Sequence, residues 1–146
     1  MINFTEGKIS LGEESISVAS DYKDLIILAD EGFIEKPEDA GGIYYCADCL
    51  AHDMRFGIFI SLKEKRIGYI ALPWLHGPCT SIGWGDVSEK ALKKEYCMLS
   101  KFLEESVGRL SDNKKYAVYV ALHVRRQVDV SYELREFVTQ IYIEPR

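Results

Sequence analysis

RFGIFISLKEKRIGYIAL, residues 55–72, contains two runs in which apolar side chains recur at every second position. Phe56, Ile58, Ile60 and Leu62 form the first; Ile67, Tyr69 and Ala71 form the second. A period of two puts each set on one face of a β-strand. Lys63-Glu64-Lys65-Arg66 between them is short and fully charged, so it stays in water, and an antiparallel hairpin at the centre of a sheet follows. Everything else must cover or extend that sheet.

Downstream, Pro73 to Gly85 (PWLHGPCTSIGWG) is rich in Gly, Pro and aromatic residues and reads as an irregular loop. Asp86 and Glu89 then form a capping box for a helix of about 20 residues, with Leu92, Tyr96, Leu99, Leu103 and Val107 on its buried stripe and Gly108 at its end. Asp112-Asn113 reads as a turn. Three strands follow, Tyr116 to Val124, Gln127 to Tyr132 and Phe137 to Ile143, with Arg125-Arg126 turning between the first two.

Upstream, Gly42 to Ala47 is a strand that pairs with the hairpin, and Asp48 to Met54 connects them. EKPEDAGG, residues 35–42, is a loop. Before it, Ser20 caps a helix of about ten residues whose stripe is Tyr22, Leu25, Ile26, Leu28 and Ala29, with Gly32 as the C′ residue. Ile2 to Leu11 is an edge hairpin, and Ser15 to Ala19 is a further short strand. These elements predict a single α+β domain over residues 1–146, with one mostly antiparallel sheet of six to eight strands and one long and one short helix packed on it.

Composition narrows the function classes. A chain of 146 residues that is 47% apolar can build one core without metals or disulfides. No apolar run approaches the roughly 20 residues that span a bilayer, and Met1 to Glu6 has neither a basic leader nor an apolar signal core. The expectation is a cytoplasmic protein that does not engage membranes, with Cys46, Cys49, Cys79 and Cys97 reduced. A net charge of −5 argues against nucleic acid as a partner, because such binders neutralise phosphates with Lys and Arg. The charge is also uneven. Residues 1–40 carry ten acidic side chains against three basic, a balance of −7, while the remaining 106 hold 15 basic and 13 acidic. That asymmetry reads either as a solvated helix with its flanking loops or as an acidic docking face built from Asp21, Asp24, Asp30, Glu31, Glu35, Glu38 and Asp39.

No catalytic constellation stands out. Cys46-x-x-Cys49 with His76-x-x-Cys79 has the spacing of a tetrahedral zinc site, yet Cys46 closes an aromatic strand and free Cys packs readily as a small hydrophobe. Cys79 with His76 or His123 and Asp86 would make a nucleophilic triad only if geometry brought them together. Gly77 and Gly83 lack the P-loop spacing and its Lys-Ser/Thr. The reading is therefore of a non-enzyme with no cofactor, in which Trp74 and Trp84 on the Gly-rich loop serve as interface anchors or as plugs that close the end of the sheet. Two alternatives stand beside it: a small zinc-binding protein using Cys46, Cys49, His76 and Cys79, and an adaptor domain that dimerises through an exposed strand edge.

Three stretches taken together, RFGIFISL (55–62), GPCTSIGWGDVSEKALKKEY (77–96) and DVSYELREFVTQIYI (129–143), resemble in their layout the small immunity proteins of bacterial toxin systems of the contact-dependent growth inhibition type. The resemblance covers about the last two thirds of the chain. It implies a cytoplasmic protein that binds a cognate toxin domain, often a nuclease, and neutralises it by occlusion. An acidic inhibitor suits the basic groove that a nuclease needs.

Overall fold

A computed structural model describes residues 1–4, 6–36, 43–78, 88–107, 111–113, 118–123, 126–133 and 138–145. In chain order the described elements are β1 (Ile2–Asn3), β2 (Lys8–Leu11), β3 (Glu14–Ser17), α1 (Tyr22–Asp30), β4 (Ile43–Ala51), β5 (Met54–Lys63) and β6 (Arg66–Leu75), then α2 (Glu89–Val107), β7 (Ser111–Asn113), β8 (Val118–His123), β9 (Arg126–Glu133) and β10 (Val138–Pro145). The architecture is α+β. β1, β2 and β3 form a small antiparallel meander, and the other seven strands form one antiparallel sheet in the order β4-β5-β6-β10-β9-β8-β7. The hairpin holds the second and third places in that sheet; the central place belongs to β10.

Both tight turns of β4-β5-β6 have two-residue loops, closed by the pairs Ala51–Met54 and Lys63–Arg66. Positive φ at both loop residues, 48° and 66° at His52 and Asp53 and 52° and 62° at Glu64 and Lys65, gives the left-handed backbone that matches strand twist. Glycine reaches that conformation without the Cβ penalty that lysine bears. Lys65→Gly is therefore expected to add about 0.5–1 kcal/mol to stability. A lower midpoint in urea unfolding would contradict it.

Two bulges set which side chains reach the core. β6 carries one extra residue, Gly68, where the register shifts beside Ser61 and Leu62. The slip changes face. Ile67 is buried as expected, but beyond the bulge the core face of β6 is Ile70, Leu72 and the half-buried Trp74; Tyr69 and Ala71 lie on the other face. The second bulge puts Ala47 and Asp48 opposite Gly57, so Cys46 pairs with Ile58 and Cys49 with Phe56. Strand β4 thereby continues to Ala51, and the expected connector at 48–54 shrinks to the His52-Asp53 turn.

Other boundaries also moved. The expected loop at Pro73–Gly85 begins late, because β6 runs through Pro73 and Trp74 to Leu75; among the described residues no β5–β6 pairing is made at Pro73, which has no N–H to give. Asp112-Asn113 is not a turn but part of β7, and Arg126 opens β9 opposite His123. In α1 the cap is Asp21 rather than Ser20. Asp21 Oδ1 accepts from the Lys23 and Asp24 amides at 2.7 and 3.2 Å, and Asp24 Oδ2 accepts from the Asp21 amide at 2.9 Å. Ser20 Oγ instead accepts from the Ser17 amide at 3.0 Å. In α2 the cap is Ser88, whose Oγ accepts from the Ala91 amide at 3.2 Å; the expected capping residue Asp86 lies outside the described residues.

One face of the large sheet carries the core. α2 lies on it over β8, β9 and β10 with Leu92, Tyr96, Leu99 and Leu103 inward. The meander and α1 contribute Ile9, Ile16, Leu25 and Leu28 to the same core, which also contains Phe56, Ile58 and Ile60. Phe4 and His52 both meet the Phe102 ring edge-on at 5.6 Å, tying meander to helix. Buried Tyr44 lies under the Lys36 ammonium, 5.7 Å from the ring centroid; burial first, then its hydrogen bond with Tyr22, pushes its hydroxyl up to about 12. Among the described residues no helix is long and apolar enough to cross a membrane.

Candidate partner-binding surface

The acidic face resolves into two groups with different roles. Asp21 and Asp24 are exposed, but their carboxylates are engaged in the α1 capping box, where negative charge is favoured by the helix dipole. Asp30, Glu31 and Glu35 lie at the other end. Asp30 is the last helical residue and Glu31 the C-cap, with no basic residue in the final turn. Among the described residues no cation pairs with either, or with Glu35. Negative charge at a helix C-terminus is unfavourable, so these acids raise the free energy of the isolated chain.

The end of the helix is held rigidly around them. Gly32 takes φ +78°, the Phe33 amide donates to the Leu28 carbonyl at 2.9 Å, and the Gly32 amide donates to the Ala29 carbonyl at 3.0 Å, the two bonds of a Schellman closure. Apolar surface is exposed within this frame. Ile27 is 50% exposed and Ile26 39%, against the expectation that Ile26 belongs to the buried stripe; Leu25 and Leu28, with Tyr22 and Ala29, already fill that stripe. Lys23 and Asp24 lie one turn before Ile27, and Asp30 and Glu31 one turn after. The outward arc of α1 is thus an apolar centre ringed mainly by carboxylates. Composition hid this, because a nine-residue helix with five large apolar residues looks fully buried; Ile27 falls outside the three-four spacing of 22, 25, 26 and 29, whereas Ile26 falls within it and gives no sign of its exposure.

The remaining sequence candidates do not join this surface. Trp74 sits in β6 opposite Phe56 and packs against the core, so it is a wall of the fold rather than a loop anchor. Trp84, Glu38 and Asp39 lie outside the described residues, as do Cys79 and Asp86. Cys49 is buried, with Sγ 3.9 Å from the Leu50 carbonyl oxygen, while His76 is exposed. Among the described residues no three His, Cys, Asp or Glu side chains gather as metal ligands.

One acid was missed altogether. Glu95 is 1% exposed in α2, accepts from the Thr139 hydroxyl at 3.4 Å, and lies over Gly77, where an added Cβ would collide with its carboxylate. Its position three residues after Leu92 and four before Leu99 places it on the buried stripe, and only its polar type argued otherwise.

No protein-family model and no curated protein matches the chain. Among solved structures it is similar to a DUF4309 family protein (YjgB) from Bacillus subtilis subsp. subtilis str. 168, with 13% sequence identity, 99% of this chain and 91% of that one covered, and a TM-score of 0.51. At that identity the likeness extends to the fold.

Proposed function

We propose that this chain is a cytoplasmic immunity protein that binds a basic toxin domain and neutralises it by occlusion, with no catalytic step of its own. The observation that supports this is the outward arc of α1, where Asp30 and Glu31 stand unpaired at the negative end of the dipole around the half-exposed Ile27. A basic partner relieves that repulsion. Covering what remains exposed of Ile26 and Ile27 adds about 1 kcal/mol each. Apolar contact supplies affinity and the carboxylates supply steering and selectivity for a cationic surface.

The test is a search of the neighbouring reading frames for a basic toxin domain, then co-expression with it and stopped-flow association of the purified pair. Wild type is expected to protect cells, and Asp30→Lys with Glu31→Lys to abolish protection. The association rate is expected to fall about tenfold or more between 0.05 and 0.5 M salt, as for steered encounters. Ile27→Asp should speed dissociation by roughly 30-fold, equivalent to about 2 kcal/mol. A salt-independent association rate, or protection indifferent to all three substitutions, overturns the reading.

A further inference from the structure

A recess of about 560 Å³ opens where the meander, the end of α1 and the β4–β5 hairpin come together. That size falls within the roughly 300–1,000 Å³ of small-molecule sites. Met1, Leu11, Phe33 and Leu50 supply its apolar wall, and Arg55 is the one charged side chain among the described residues that line it. Three of the seven large apolar side chains that stand exposed among the described residues gather here, namely Met1, Phe33 and Leu50, the last at 58%. Exposed apolar groups scattered singly need no explanation, whereas a concave cluster of them around one polar group is the composition of a ligand site.

Both walls are held in place. Gly12 takes φ +64°, and the Phe33 ring lies so close over it that an added Cβ would stand 2.6 Å from the ring Cζ. The Schellman closure fixes the Phe33 backbone, so the ring forms a firm side to the recess. Opposite it, Leu50 and Arg55 are direct cross-strand partners, which puts their Cβ atoms about 5 Å apart on one side of the hairpin. A ligand body resting on Leu50 therefore brings its head group within reach of the guanidinium. Among the described residues no carboxylate pairs with Arg55, and none lines the recess; Glu13 and Glu31 adjoin its glycines in sequence without forming part of its wall.

We infer that this recess binds a small monocarboxylate with an apolar, preferably aromatic, body. Charge selects the head group. The guanidinium offers two parallel N–H donors that match a carboxylate, repels an ammonium, and gains only a weaker hydrogen bond from a hydroxyl. The wall selects the body, because a bare inorganic anion would leave Phe33 and Leu50 in water, and the Phe33 ring favours an aromatic neighbour. This site is independent of the toxin-binding proposal, since its ligand carries the opposite charge to that partner and is measured on this chain alone.

Amide NMR spectra of the full chain titrated with phenylbutyrate test it, with phenylbutanol and phenylbutylamine as the neutral and cationic arms. The expected result is one saturable site with a dissociation constant of about 0.5 mM, ordinary for a ligand of that size, and shifts centred on Gly12, Gly32, Phe33, Leu50 and Arg55. The alcohol should bind about tenfold more weakly, and the amine more weakly still. Arg55→Gln should weaken the carboxylate about tenfold and leave the alcohol within about twofold, whereas Leu50→Ser should weaken both by about threefold or more. Both side chains are exposed, so neither substitution removes core packing. No saturation below about 10 mM, shifts centred elsewhere, an alcohol or amine that binds as well as the acid, or an acid indifferent to Arg55→Gln overturns the inference.

Discussion

Phe56→Ala is expected to remove about 3–5 kcal/mol of stability, a large part of the 5–15 kcal/mol typical of a domain. Phe56 is fully buried, paired across the sheet with Cys49 on one side and Trp74 on the other. Truncation leaves a cavity where three strands meet, and strands fixed by their ladders cannot close around it. At about 3 °C per kcal/mol the melting temperature should fall by roughly 10 °C or more. Phe56→Leu, which keeps most of the volume, should cost about half as much or less. Urea unfolding monitored by circular dichroism measures both; a loss below about 1 kcal/mol for alanine would mean the core relaxes in a way this packing does not allow.

The second large effect comes from a methyl group added at Gly77. Its Cβ would enter the envelope of the Glu95 carboxylate, the end of a flexible but buried side chain, and displacing that carboxylate from Thr139 should cost about 1–2 kcal/mol. The obstruction is one named group, so its removal is diagnostic. Glu95→Ala loses the contact to Thr139 and costs stability by itself, but Gly77→Ala in that background should be nearly neutral. The cycle should then show a coupling of about 1–2 kcal/mol. Strict additivity would rule out the contact as the reason for glycine at 77.

The period-two pattern of residues 55–62 and the three-four spacing from Leu92 to Leu103 made the hairpin and long helix legible, since both follow from which side chains must leave water. Gly68 and the Ala47-Asp48 bulge could not be read this way. Each inserts a residue without changing the run of apolar types, and the cross-strand partner decides where the slip falls. Pro73 and Trp74 misled because Pro suggests a break, yet the strand tolerates it at a gap in its ladder. In the proposed binding surface, the charge asymmetry marks the α1 region, where Asp21, Asp24, Asp30, Glu31 and Glu35 are exposed. It could not separate Asp21 and Asp24, which cap the helix, from Asp30 and Glu31, which oppose its dipole, because that division depends on where the helix begins and ends.

The place of β10 has a consequence for biosynthesis. It lies between β6 and β9, yet it is translated after every other described element. Until it emerges from the ribosome, the inner edge of β6 has no neighbour, and β7 to β9 have nothing to join. The nascent chain therefore holds two half-sheets with unpaired borders, and its exposure to aggregation lasts until the last strand slots home.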